Sequence, residues 1–339
     1  MNRYHALAAL TALALNACAP AAEDAAIPAV QARGETIPVG TVNEDAADDP
    51  AIWRNPDRPE AGLIVATDKK AGLYVYGLDG RRLSFLDAGR VNNVDLVDLG
   101  RAGVIVVASD RNNLSEASLQ VYRLDTAAGA LTLLGVGPGG AGEGYGLCLG
   151  LRDGILRAYS VLKEGRIHEV SIDLAGAQPV FSSDRTLSLA SQPEGCVVDN
   201  RNGALYVGEE GAGVWRFDKD ATSGVMVAPV DNRFLVADVE GLALAPAGQD
   251  GGYIIASSQG DNAYAVFSLP SVSPAGRFRI AGGIYGSTEE TDGIDLGIGD
   301  FGPLYPKGLF VAQDGENAPS AQNFKLVSWA DVVAALALE

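Results

Sequence analysis

The feature that most narrows the fold is a pattern that recurs six times. A short apolar strand runs into a polar loop, and a second apolar strand follows, at 63–80, 104–125, 156–173, 205–218, 253–269 and 309–329. LIVATDKKAGLYVYGLDG opens the series and LFVAQDGENAPSAQNFKLVSW closes it. The polar loops fall at Asp68, Asp110, Lys163, Glu209, Gln259 and Asp314, in steps of 42, 53, 46, 50 and 55 residues. An interlocked series reads DDPAIW (48–53), NNVDLV (92–97), EGYGLCL (143–149), PEGCVV (193–198), VEGLAL (239–244) and YPKGLF (305–310). Each member sets a polar residue just ahead of a short apolar strand. One four-stranded propeller blade takes roughly 40–50 residues. The two series therefore predict an all-β chain: a six-bladed β-propeller over 36–335, with antiparallel blades of four to five strands around a central channel. The 42 glycines suit a chain of many turns. A doubly wound α/β fold would need helical periodicity between strands, and little is seen before Val332–Leu338. A β-sandwich does not repeat six times.

The residues ahead of the repeats carry a different message. Arg3 and the apolar run from Ala6 to Leu15 are too short to span a bilayer and suit a signal peptide over 1–17. The run ends Leu15-Asn16-Ala17-Cys18, which resembles a lipobox and would make Cys18 the lipidated first residue. Ordinary secretion is the alternative. The expected location is thus an outer-membrane or periplasmic lipoprotein, or a secreted protein, touching membrane only through a lipid anchor. The Ala- and Pro-rich residues 18–35 read as a tether. A monomer is expected. Export permits a disulfide between Cys148 and Cys196, and two separate buried thiols fit equally well.

The chain has a formal net charge of −18, which argues against nucleic acid as a partner. In a propeller, equivalent loops gather at one end of the channel, so distant residues meet. Asp48, Asp49, Asp95, Glu143, Glu194 and Glu240 stand at the starts of short strands, and Glu209, Glu210, Asp292, Asp314 and Glu316 in loops. Carboxylates converging on one mouth would repel, and Ca²⁺ relieves this by taking 6–8 oxygen ligands. Softer metals are poorly served, since His168 is the one histidine after the signal peptide. Lys69, Lys70, Arg111 and Lys163 occupy the same loop in the first three repeats, where the last three carry Glu210, Gln259 and Asp314. The ring is thus cationic on one side and carboxylate-rich on the other. A phosphate ester needs both, cations to orient its oxygens and metal to neutralise charge. No Arg-His-Gly motif is present, and Cys148 is followed by Leu-Gly-Leu before Arg152, the wrong spacing for a cysteine phosphatase loop. Metal-activated water is the nucleophile that remains.

Taken together, DAADDPAIW, TDKKAGLYVY, NNVDL, PEGCVVD, LYVGEEGAGVWRF, DVEGLAL, ASSQGDNAYAVF, TDGIDL and GLFVAQDGEN closely resemble the β-propeller phytases, from about Asp45 to Trp329. The resemblance implies a calcium-dependent phosphoric monoester hydrolase of the 3-phytase type, acting on phytate (myo-inositol hexakisphosphate). It implies catalytic calcium at Asp48, Tyr145, Glu194, Glu210, Glu240 and Asp292. It implies tighter, structural calcium at Asp49, the Pro50 and Val94 carbonyls, Asn92, Asn93 and Asp95. Lys69, Lys70, Arg111 and Lys163, with Tyr145, would bind the phosphates, and Glu210 or Asp292 would orient the attacking water. Two departures stand out. The stretch 283–290 is short of acids, which puts one structural calcium near the last blade in doubt. Asp68 stands beside Lys69, where it would temper phosphate affinity. Two other readings compete: a calcium propeller hydrolase of another ester or a lactone, and a non-catalytic surface-binding propeller.

Overall fold

The computed structural model describes residues 26–339. The expected signal peptide and Cys18 lie outside them. Six antiparallel sheets follow one another along the chain. Their innermost strands are Ala47–Trp53, Val91–Asp98, Gly144–Arg152, Pro193–Asp199, Val239–Ala247 and Ile294–Ile298. Each inner strand packs against the next, and the sixth against the first, so the ring closes on itself. The chain is therefore the six-bladed β-propeller that the repeat demands. Among the described residues there is one α-helix, Trp329–Leu336, and none long and apolar enough to cross a membrane.

Each blade is buried on both faces, which is why its second strand reads as an unbroken apolar run. In blade 1, Val65 and Val75 face Val94, Val106 and Tyr122 of blade 2. Ile64, Ala66, Tyr74 and Tyr76 of the same strands face Val311, Phe324 and Leu326 of blade 6. Burying each such side chain contributes about 1.5–3 kcal/mol. The outer strands lose this constraint: Arg82–Asp87 alternates between exposed and half-buried residues.

Two sequence expectations need correction. Residues 29–35 are not tether. Ala29–Gln31 runs parallel to Ser273–Ala281 as a fifth strand of blade 5. Gly34–Glu35 pairs antiparallel with Asn323–Ser328 and completes blade 6, which has only three strands of its own. The ring is thus closed by joining the two ends of the chain. The second correction concerns YPKGLF, which is not the sixth inner strand. Its last residues open the second strand of blade 6, Gly308–Asp314, and the inner strand is Ile294–Ile298, within the TDGIDL segment. A glycine, Gly293 or Gly308, stands at or just ahead of the start of each strand, so local pattern could not tell them apart.

Cys148 and Cys196 form a disulfide with Cα atoms 5.6 Å apart. The bond joins the inner strands of blades 3 and 4.

Candidate active site

Every inner strand from blade 1 to blade 5 enters the sheet through a bulge. Register slips between Ala47 and Pro50, Val91 and Val94, Gly144 and Leu147, Pro193 and Cys196, and Val239 and Leu242. A bulge leaves residues out of the ladder and re-aims their side chains. The first bulged residues are Asp48, Asn92, Tyr145, Glu194 and Glu240, and Asp292 stands just ahead of the sixth strand. One repeated backbone irregularity therefore turns five polar side chains to one end of the channel, where Asp292 joins them. At the second bulged position a Cβ on Gly146 would lie 1.9 Å from the Glu194 carbonyl oxygen, and one on Gly195 would lie 2.2 Å from that of Glu240. Only glycine lets neighbouring inner strands approach so closely there.

A second ring lies at the loop after each second strand. The backbone N–H groups of Lys69, Arg111, Lys163, Glu210 and Gln259 donate to the carbonyls of Ala46, Arg90, Glu143, Gln192 and Asp238 at 2.7–3.1 Å. In blade 6 the same bond comes from Gly315 to Glu289, at 2.8 Å. Gly315, not Asp314, is thus the sixth member. Asp314 instead lies 3.0 Å from the buried Lys325 Nζ, which also bonds Glu35, Asn317 and Asn323. In this corner, where a structural calcium was in doubt, an ammonium group fills the space between the oxygens. Glu209 is likewise structural: it accepts from Ser191 and from Trp215 Nε1.

The two rings enclose a mouth of about 810 Å³, lined by Asp45, Lys69, Tyr145, Gln192, Glu194, Glu210, Glu240, Gln259 and Asp292 among others. Oxygens of Glu194, Glu210 and Glu240 all lie within 4.8 Å of one another. Lys69 Nζ stands among Asp45, Asp48 and Asp292 at 2.9, 3.2 and 2.9 Å. Here it is paired with carboxylates. Lys163 Nζ lies 4.9 Å from the centre of the Tyr145 ring, and the Arg111 guanidinium lies 5.8 Å from it, close enough for both to be held by the ring's negative face. Arg111 also donates to Asn92 Oδ1 and sits 3.4 Å from Glu143. Lys70 is the most outward cation, 4.0 Å from Glu44. The Asp68 carboxylate accepts from Thr41 and from the Lys70 N–H.

Burial dominates the electrostatics. It pushes Asp48 up to about 6, against the pull of Lys69, and Glu194 up to about 7, helped by the charge of Asp292. It lifts Asp292 to about 8 and, with Glu194 beside it, holds Glu240 well above the carboxylate range. Glu210, less enclosed, is raised by the same cause. Asp48 Oδ2 and Glu240 Oε2 are buried without any hydrogen-bond partner. Unpaired buried carboxylate oxygens are costly, and an all-oxygen set of this density suits a hard cation such as Ca²⁺. The residues fit that ion.

Deeper in the channel lies a smaller cavity of about 70 Å³, lined by Asp49, Pro50, Asn93, Val94, Asp95 and Asp295 among others. The structure thus brings together most of the set expected for tighter calcium. Asn92 lies between the two: its amide donates to Glu194 Oε1 at 2.7 Å, in the mouth, and to Asn93 Oδ1 at 2.9 Å. Sequence reasoning missed Asp295, Gln192 and Asp45, and placed Gln259 in the ring of loops without giving it a role. Asp295 follows Asp292 by three residues, as Asp95 follows Asn92, and the repeat would have exposed it had the sixth strand been placed correctly. Gln192 left no such signal, because only its neighbours across the mouth give it meaning.

A family model described as Phytase matches residues 4–339. A 3-phytase of Bacillus subtilis (strain 168) is 37% identical over 324 residues, which cover 89% of this chain and 84% of that protein.

Proposed function

The chain belongs to the phytase family, and from that premise we propose that it hydrolyses the phosphate monoesters of phytate at the channel mouth, with calcium as its cofactor. The observation that carries the calcium reading is the pair of orphaned buried oxygens, Asp48 Oδ2 and Glu240 Oε2, beside three converging glutamates. Asp48, Glu194, Glu210, Glu240 and Asp292 would hold the ion. When bound, calcium supplies positive charge against the phosphate oxygens and lowers the pKa of nearby water. Arg111 and Lys163 orient the phosphate through charge-assisted hydrogen bonds, with Lys70 at the rim. Glu210 Oε1 is taken by Gln192, which leaves Oε2 to accept a proton from the attacking water. A second, structural calcium is proposed for the deeper cavity, on Asp49, Asp95 and the Pro50 and Val94 carbonyls. Export to an oxidising compartment is supported by the Cys148–Cys196 bond.

The test is phosphate release from phytate by chelated, dialysed enzyme, with and without added calcium, and with the inositol products resolved. Activity should vanish on chelation and return with calcium. Full activity in the metal-free enzyme would sink the calcium assignment. Turnover of a lactone in place of phytate would favour the other hydrolase reading.

A further inference from the structure

Two glutamines face the mouth but perform none of the chemistry above. Gln192 Nε2 donates to Glu210 Oε1 at 2.6 Å and stands 3.3 Å from the Tyr145 hydroxyl. Gln259 Nε2 donates to Asp292 Oδ1 at 2.7 Å. Both belong to the machinery of the ring. Gln192 immediately precedes the fourth inner strand, and its carbonyl accepts from the Glu210 N–H at 3.0 Å. Gln259 occupies, in blade 5, the place that Lys69, Arg111 and Lys163 hold in the first three blades.

The choice of an amide has a physical reason. Like-charged carboxylates crowded at one mouth rotate away from each other unless something holds them. A lysine or arginine would hold them but would neutralise the charge that a cation needs, as Lys69 does for Asp48 and in part for Asp292. A neutral amide fixes one oxygen and leaves the charge in place: on Glu210 the second oxygen stays free to face inward, while on Asp292 it meets Lys69 Nζ at 2.9 Å. We propose that Gln192 and Gln259 are positioning residues that hold Glu210 and Asp292 in the orientation needed for cation binding. This rests on reading the mouth as a calcium site. Partners of this kind, one step removed from the ion, typically change metal affinity or activity by about 10–100-fold when lost.

The test is calorimetric titration of calcium into metal-free wild type, Gln192→Leu, Glu210→Gln and the double variant, with turnover of phytate measured on the same samples. Gln192→Leu should weaken the mouth's calcium affinity and lower kcat by about 10–100-fold, with KM little changed. In the Glu210→Gln background it should add almost nothing, because it acts through that carboxylate. Gln259→Leu, paired with Asp292→Asn, gives an independent arm should one variant fail to fold. Calcium affinity and kcat within about twofold of wild type, for a folded Gln192→Leu or Gln259→Leu protein, would overturn the inference, as would fully additive double variants. If wild type takes up no calcium at all, the calcium reading falls first and this inference with it.

Discussion

The channel carries two groups of carboxylates a few residues apart on the same strands, and they are held in opposite ways. The deeper group is tied to backbone. Asp49 accepts from the Val94 N–H at 3.0 Å, Asp95 from Leu149 at 2.7 Å and Asp295 from Ile52 at 2.8 Å. Each bond crosses to the inner strand of the next blade. The mouth group is tied to side chains: Lys69, Gln192, Gln259 and Asn92. Two of its oxygens have no partner. Backbone donors are fixed by the ring, so the deeper acids have a geometry set by the architecture. Side-chain donors can yield, so the mouth can rearrange around a cation and a substrate. The comparison teaches that a buried acid's role is read from what holds it, not from its burial or its charge.

The largest effect should come from neutralising the mouth. Glu240→Gln and Asp292→Asn should each cut phytate turnover by about 10²–10⁴-fold. Because each removes a charge from a crowded buried cluster, the melting temperature in chelator should hold or rise. A sharp fall in melting temperature would instead show that the mouth acids are architecture. Next in size, Asp295→Ala should leave the Ile52 and Leu296 N–H groups without acceptors, at about 1–3 kcal/mol for each buried group left unpaired. Thermal denaturation should register that loss, while kcat per folded molecule stays within a few-fold. Inactivity without destabilisation would erase the distinction between the two groups.

The smallest effect is on pH dependence. In the folded, metal-free chain Asp48, Glu194 and Asp292 keep their protons up to about 6, 7 and 8, against ordinary values of 3.8 for Asp and 4.5 for Glu. The folded state therefore binds more protons than the unfolded one across this window. Stability should be greatest below the ordinary carboxylate values and decline as pH rises toward 8. Asp95 and Asp295, raised to about 7 and 6 by burial, add the same sign. Calcium favours the deprotonated acids and should flatten the slope. Asp292→Asn should remove its upper end, near pH 8. A metal-free melting temperature that climbs between pH 5 and 8 would contradict the burial of these charges.

Much of this was legible in the chain. Apolar strands separated by polar loops at a near-constant step leave a six-bladed ring as the arrangement that buries them all. The positions just ahead of the inner strands marked Asp48, Glu194 and Glu240 as converging residues, because equivalent places in a ring must meet, whereas Tyr145 came only with the family resemblance. The sixth strand was misplaced because YPKGLF and TDGIDL both satisfy the local pattern, and only sheet pairing chooses between them. The role of residues 29–35 was hidden for a similar reason: five residues of short edge strand carry no periodicity, and their partners lie some 250–290 positions away.

What the sequence determined by itself was the ring and the list of residues that crowd its mouth, since repetition and residue type are local properties. What only the tertiary structure decided was partnership. It sent Lys69 to three carboxylates, Asp314 to Lys325 and Asn92 to both Glu194 and Asn93. It joined Cys148 to Cys196 and gave Gln192 and Gln259 their acids to hold. These choices depend on distances of a few ångströms between strands from different blades, and no spacing along the chain encodes them.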